Sequence, residues 1–263
     1  MLLDGKVAVV AGVGPGLGQA NAKALAREGA TVVLAARNAD YLETVRAEIE
    51  AAGGRAVAVP TNIVDADQVA ALAARAAEVA GRVDVLVNNA FRMDPMEPFA
   101  TVDLAKWRKV HDVNVWGSLT LTQTLLPHLR DTAATHGDAS VVFILSMSMR
   151  KIRHNEGGYA TSKAALRTAV QTLAFELGDT HVRVNAVAPG WIGGPSVDVY
   201  VQWEAQARGV AESEIRAEIA ARIPLREIPP QDDIAHSVVF FASPWARCIT
   251  GQTLDVNGGE YFG

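Results

Sequence analysis

The sequence predicts an α/β fold, a doubly wound parallel sheet with helices on both faces. Three observations predict it. Short β-branched or apolar runs alternate with longer Ala-rich segments of helical period along nearly the whole chain. The runs are apolar at successive positions, as strands covered on both sides must be. And 263 residues with 49% hydrophobic and 20% charged content can bury one large core, so a single domain is expected.

The elements follow in order. Val7–Ala11 is a wholly apolar strand, followed by an Ala-rich helix over Leu17–Glu28. Thr31–Ala36 is the second strand, and Asp40–Ala52 reads as its helix. Ala56–Val59 and Val83–Asn88 are the next strands, separated by the Ala-rich helix Asp65–Ala80. A long helix is predicted over Leu104–Arg130, then a fifth strand over Ser140–Ser146 and a helix over Tyr159–Gly178. Val182–Val187, the helix Gln231–Ala242 and Gln252–Val256 complete the alternation. Residues 191–230 stand outside it, rich in Glu and Arg with Trp191, Tyr200 and Trp203. That segment reads equally as a surface helical excursion and as a small substrate lid.

Composition narrows the function classes. A formal charge of −5 and a pI near 5.7 argue against a nucleic-acid partner, which would need a clustered basic face. Cys248 is the single cysteine, so no intrachain disulfide forms and no cysteine-rich zinc site is expected. The chain reaches a strand at Lys6–Ala11, leaving no room for a signal peptide, and no apolar run approaches a membrane span. A cytoplasmic location is expected.

The first chemical signal is "AGVGPGLGQA", Ala11–Ala20, directly after the first strand. The spacing G-x-G-x-x-G is met in no register; G-x-x-x-G-x-G is met by Gly12, Gly16 and Gly18. Four glycines in seven residues exceed what a plain strand-to-helix turn needs. They suit a tight turn that brings backbone close to a pyrophosphate and offers it the free N–H groups of a helix start.

Further signals fall near strand ends, where such a fold places ligands. "VNNAF" (Val87–Phe91) closes the fourth strand, and Asn114 lies in "DVNVWG". Ser146 ends the fifth strand, and Tyr159 with Lys163 opens the next helix. Each alone is an ordinary turn, cap or surface pair. In this order they form a constellation.

With these motifs, together with "NAVAPG" (Asn185–Gly190) and "ITGQTLDVNGG" (Ile249–Gly259), the chain resembles the short-chain dehydrogenase/reductase family over nearly its whole length. The resemblance implies a Rossmann-type, seven-stranded parallel sheet in the order 3-2-1-4-5-6-7. It also implies a nicotinamide cofactor and hydride transfer between a secondary alcohol and a ketone. Cofactor contacts would come from Gly12, Gly16, Leu17, Gly18, Arg37, Asn62, Ile63, Asn89, Ala90, Tyr159, Lys163, Pro189, Gly190 and Ile192. A homotetramer is expected, supported by the two long apolar helices Leu104–Arg130 and Tyr159–Gly178.

The implied chemistry gives each residue of the tetrad a task. Reducing a ketone needs a proton on oxygen, and a free tyrosine, with a pKa of about 10, exchanges protons poorly at neutral pH. Lys163, one helical turn from Tyr159, is expected to stabilise the phenolate, lower that pKa and hold the nicotinamide ribose. Ser146 and Ser148 are both candidates for the hydroxyl that bonds the substrate oxygen. Family spacing favours Ser146, thirteen positions before Tyr159. Asn114 would keep a water linking Lys163 to solvent.

Ala36 and Arg37 end the second strand, where an acid would select NAD. A small residue followed by a guanidinium suits a 2′-phosphate, so NADP(H) is favoured, with NAD(H) left open. Pro15 stands where many NADP-dependent relatives carry a second basic residue. The chain departs from the family pattern at Ala11, Asn62 and Phe91 and at Gly193-Gly194-Pro195, after which Ser196 could replace a cofactor-touching threonine. Phe91, Met93, Met147, Met149, Trp191 and Trp203 are candidate pocket residues, and "RKIRH" (Arg150–His154) could attract an acidic substrate or be a solvated loop. Two other classes share these features. One is a nucleotide-binding regulatory protein, the other a cofactor-independent halohydrin dehalogenase-like lyase; the open glycine turn and the full tetrad argue against both.

Overall fold

The computed structural model describes residues 1–263, the side chain of Ala80 excepted. The first half runs β1 (Val7–Ala11), α1 (Leu17–Arg27), β2 (Thr31–Ala36), α2 (Ala39–Ala51), β3 (Arg55–Pro60), α3 (Ala66–Ala80) and β4 (Val85–Asn88). The second half runs α4 (Leu104–His111), α5 (Ser118–His136), β5 (Ala139–Ile144), α6 (Gly157–Leu177) and β6 (Val182–Pro189). It closes with α7 (Pro195–Arg208), α8 (Glu212–Ala221), α9 (Gln231–Ala242) and β7 (Thr253–Val256). The strands form one sheet in the order β3-β2-β1-β4-β5-β6-β7, every neighbouring pair parallel. This is the expected topology.

The apolar strands explain the two-sided core. Every residue of β1, β4, β5 and β6 is buried. Val9, Leu86, Val141 and Phe143 face one layer of helices through Leu72, Leu121, Leu125 and Leu166. Val10, Leu34, Val85 and Val142 face the other through Leu25, Leu42, Ile49 and Ile234. Because all strands run one way, Ala11, Ala36, Asn88, Ile144 and Pro189 end on one side of the sheet. The order reverses between β1 and β4, which opens the crevice at that side.

Two boundaries that bear on the site differ from expectation, each for a local reason. The long helix predicted over Leu104–Arg130 is interrupted by a π-helical turn at Asp112–Gly117, which separates α4 from α5 and carries Asn114. Such turns insert an extra residue into the helical ladder and recur at functional sites. Ser146 lies beyond β5 rather than in it. The ladder to β6 ends as Leu145 N–H bonds the Val187 carbonyl, and the Ser146 side chain then accepts the Ser148 N–H, capping a short 3₁₀ turn. Residues 191–230 form α7 and α8, which bury Val197, Val201, Ile215 and Ile219 in a small core of their own. Among the described residues no helix is long and apolar enough to cross a membrane.

Candidate active site

The glycine turn is dictated by contact as much as by conformation. Gly12 has φ +95°, and a Cβ there would collide with the backbone of Ala90. A Cβ on Gly18 would collide with the carbonyl of Gly12. Asn89 ties the two loops together, its Nδ2 donating to the Gly12 carbonyl at 2.7 Å. Gly16 is the N-cap of α1, with no side chain bonding the helix's first N–H groups. The turn is thus packed tightly behind and open in front.

Two adjoining cavities meet at this turn, sharing Gly12, Gly14, Pro15 and Phe91. One, of about 370 Å³, runs past Gly16, Leu17 and Gly18 to Ser146, Tyr159 and Lys163, and is closed by Pro189, Gly190, Trp191 and Ile192. The other, of about 390 Å³, is lined by Ala36, Arg37, Asn62, Ile63 and Ala90, with Arg92 beside them. Every sequence-predicted cofactor contact lines one of the two. A dinucleotide fits this outline: an elongated crevice, a glycine cradle, free N–H groups at its middle, and a buried acceptor without a partner, Gln231 Oε1, in its wall.

At the inner end, the start of α6 positions Tyr159. Asp94 Oδ2 accepts the Tyr159 N–H at 2.8 Å, and Gly157 and Gly158 leave room for the Trp107 ring against the helix start. Phe91 meets the tyrosine ring edge-on at 6.4 Å between centroids. Lys163, only 2% exposed, lies on the same face, its Nζ 5.7 Å from the tyrosine ring centroid and donating to the Ile144 carbonyl at 2.7 Å.

The electrostatics correct one expectation. Burial holds the Tyr159 phenol up at about 12; Ser146 pulls it down, the Glu156 carboxylate pushes it up further, and Arg153 pulls it down. Burial likewise lowers the Lys163 ammonium to about 7. The expected lowering of the tyrosine by the lysine does not appear here: burial disfavours both charged forms and is the leading influence on each.

Sequence reasoning missed Glu156. It is buried, and its Oε2 accepts from Ser148 Oγ at 3.2 Å, which in turn lies 3.2 Å from Ser146 Oγ. The two candidate serines therefore form one chain ending on a carboxylate; a Glu three positions before the tyrosine was its only sequence signal. Asn114 is fully buried and does not line the cavity. Its Oδ1 accepts the Arg92 N–H at 2.7 Å, and its Nδ2 donates to the Arg92 carbonyl and to Ser162 Oγ. Both amide hydrogens are committed, so the side chain braces the loop after β4 against α6. A water at Asn114 would have to use the remaining Oδ1 lone pair or the main chain. Met149 and Trp203 lie away from the cavity lining, whereas Phe91, Met93, Met147, Trp191 and Ser196 are part of it.

Comparison with known proteins agrees with this geometry. A family model described as enoyl-(acyl carrier protein) reductase matches residues 12–260. The chain is 35% identical over 257 residues to 7alpha-hydroxysteroid dehydrogenase of Escherichia coli (strain K12), covering 98% of this chain and 94% of the relative. A solved 7 alpha-hydroxysteroid dehydrogenase complexed with NADH and 7-oxo glycochenodeoxycholic acid superposes with a TM-score of 0.85 at 35% identity, covering 98% of this chain and 94% of that one. An actinorhodin polyketide ketoreductase variant with NADPH superposes with a TM-score of 0.89 at 29% identity, covering 97% of each chain. Fold and relatives agree over nearly the whole chain, and the protein belongs to the short-chain dehydrogenase/reductase family of oxidoreductases.

Proposed function

We propose that this chain interconverts a secondary alcohol and a ketone using a nicotinamide cofactor, with NADP(H) favoured. The observation that carries the reading is that Ser146, Tyr159 and Lys163 line the same cavity as the glycine turn. Relatives that bind NADH and NADPH, and one solved with a cyclic ketone, support the cofactor and substrate class.

When bound, the nicotinamide supplies or accepts the hydride. Tyr159 gives the proton to the carbonyl oxygen during reduction and takes it back during oxidation. At neutral pH Tyr159 is protonated, the state reduction requires, while its raised pKa disfavours the phenolate that oxidation requires. Ser146 donates a hydrogen bond to the oxygen as negative charge gathers there. Lys163 would hold the ribose hydroxyls of the bound cofactor, and its lowered pKa lets it pass a proton at neutral pH. The Asn114 side chain keeps the loop and α6 in register.

The NADP(H) preference rests on Arg37 and Arg92, which line the outer cavity with no carboxylate among its lining residues. Residues 191–230 are read as the substrate lid, since Trp191–Val197 already wall the inner cavity. A homotetramer in the cytoplasm completes the reading. Its support is apolar surface exposed at Trp116, on the π-turn, Phe175 on α6 and Leu254 on the edge strand β7. Titration with NADPH and with NADH, followed by fluorescence, and then a panel of ketones and alcohols followed by nicotinamide absorbance, tests the function. Binding without turnover of any carbonyl or alcohol would favour a regulatory role, and no nucleotide binding would contradict the reading altogether.

A further inference from the structure

We propose that Arg153 binds the substrate, and that the substrate is a ketone or secondary alcohol bearing a carboxylate. The inference rests on the oxidoreductase reading and names the substrate class of that same site.

The basic segment Arg150–His154 divides its cations between two uses. Arg150 pairs with Asp255 and Lys151 with Glu260, tying the segment to the C-terminal region. Arg153 has no carboxylate within pairing distance among the described residues. Its guanidinium instead lies over the Trp191 ring, 4.4 Å from the centroid, and lines the inner cavity. A contact with the indole face holds a guanidinium in place without using its N–H groups, which lie in the guanidinium plane and are left free to bond an anion.

The surroundings fit an anion attached to an apolar body. The charged residues of the lining are Arg153 and Lys163, and no carboxylate is among them. Lys163 is bonded to the Ile144 carbonyl beside Tyr159, where the reacting oxygen goes, so the two cations occupy distinct places. The nearby Glu156 is bonded by Ser148 and is not part of the lining. Phe91, Met93, Met147 and Trp191 make the rest of that end apolar. A carboxylate on Arg153 forms a charge-assisted, forked pair in a partly dry site. An uncharged substrate would leave the guanidinium without an anion.

The test uses ketones in matched pairs, each a free carboxylate and its methyl ester, on cyclohexanone, decalone and steroid frameworks. With wild-type protein and its preferred nucleotide, the carboxylate member of each pair that turns over is expected to have roughly ten- to hundredfold higher kcat/KM. In Arg153→Gln that preference should vanish through KM, with nucleotide Kd little changed; Arg153→Lys should retain part of it. Equal use of acid and ester by wild-type protein overturns the proposal and leaves the oxidoreductase reading standing. A loss of nucleotide affinity in Arg153→Gln with the acid preference intact also overturns it, placing Arg153 on the cofactor. Turnover of no pair, and of no other ketone or alcohol, with either nucleotide overturns both.

Discussion

The ammonium of Lys163 donates a 2.7 Å hydrogen bond to the main-chain carbonyl of Ile144, the last residue of β5. One strand end thus fixes the amine of α6 one helical turn from the phenol of Tyr159. The bond forms against the cost of burial, which lowers the lysine to about 7. Lys163→Met should therefore abolish turnover, weaken nucleotide binding and yet raise the melting temperature of the free protein. The sign follows from the lowered pKa. Below about pH 7 the native lysine is charged and carries its full desolvation cost; that cost falls as pH rises from about 7 toward the unfolded value of 10.5. The stability gain should be largest in acid and fade in alkali, changing by at most about 1.4 kcal/mol for each pH unit crossed between those two values. Calorimetry at several pH values checks this, and a gain that grows with pH would contradict it.

Glu156 sets a second expectation. Its charge helps to hold the Tyr159 phenol up near 12, so Glu156→Gln should ease ionisation. Besides Glu156, the polar and charged groups around the phenol are Ser146, Arg153 and Lys163, with Asp94 on the tyrosine backbone. The midpoint of the pH profile for alcohol oxidation should move to lower pH. An unchanged or alkaline-shifted profile would show that the carboxylate does not reach the tyrosine.

Within the hydroxyl chain, Ser146 lines the cavity nearest the tyrosine and Ser148 passes its own proton toward Glu156. Ser146→Ala should reduce kcat by roughly two to three orders of magnitude, the scale of a lost oxyanion donor. Ser148→Ala should cost much less. The reverse order in steady-state kinetics would assign the substrate bond to Ser148.

For nucleotide choice, Arg37 is exposed at the rim of the outer cavity. If it meets a 2′-phosphate, the pair contributes roughly 1.5–3 kcal/mol to NADP(H) binding. Ala36→Asp combined with Arg37→Ala should invert the preference toward NAD(H), measured as the ratio of Kd values. Added salt should weaken NADPH binding more than NADH binding. Wild-type protein that binds NADH at least as tightly would make Arg37 a solvated residue.

Assembly is checked by light scattering. A tetramer is expected at micromolar concentration, and charged substitutions at Phe175, 91% exposed on α6, should break it into smaller species. A wild-type monomer would contradict the assembly.

The alternation of strands and helices and the glycine turn were legible because they depend on local pattern, and the sheet order followed from the family resemblance. Apolar runs such as Val7–Ala11 and the spacing from Tyr159 to Lys163 are visible in a few residues. What was hidden depends on residues distant in sequence. The π-turn that carries Asn114 leaves no mark in a pattern that reads as continuous helix. Asp94 reaches Tyr159 across 65 positions, and Arg153 meets Trp191 only because β6 ends beside the loop after β5. The direction of the tyrosine pKa is not legible either, because sequence shows the neighbouring charge but not the burial.

The most direct measurement is single-turnover reduction of a ketone by Tyr159→Phe, alongside nucleotide titration of the same variant. Phenylalanine keeps the ring and its contact with Phe91 while removing the proton donor. Nucleotide affinity within about twofold of wild type together with a hydride-transfer rate roughly a thousandfold lower or less is the expected result. Substantial turnover by Tyr159→Phe would contradict the assignment of the acid/base.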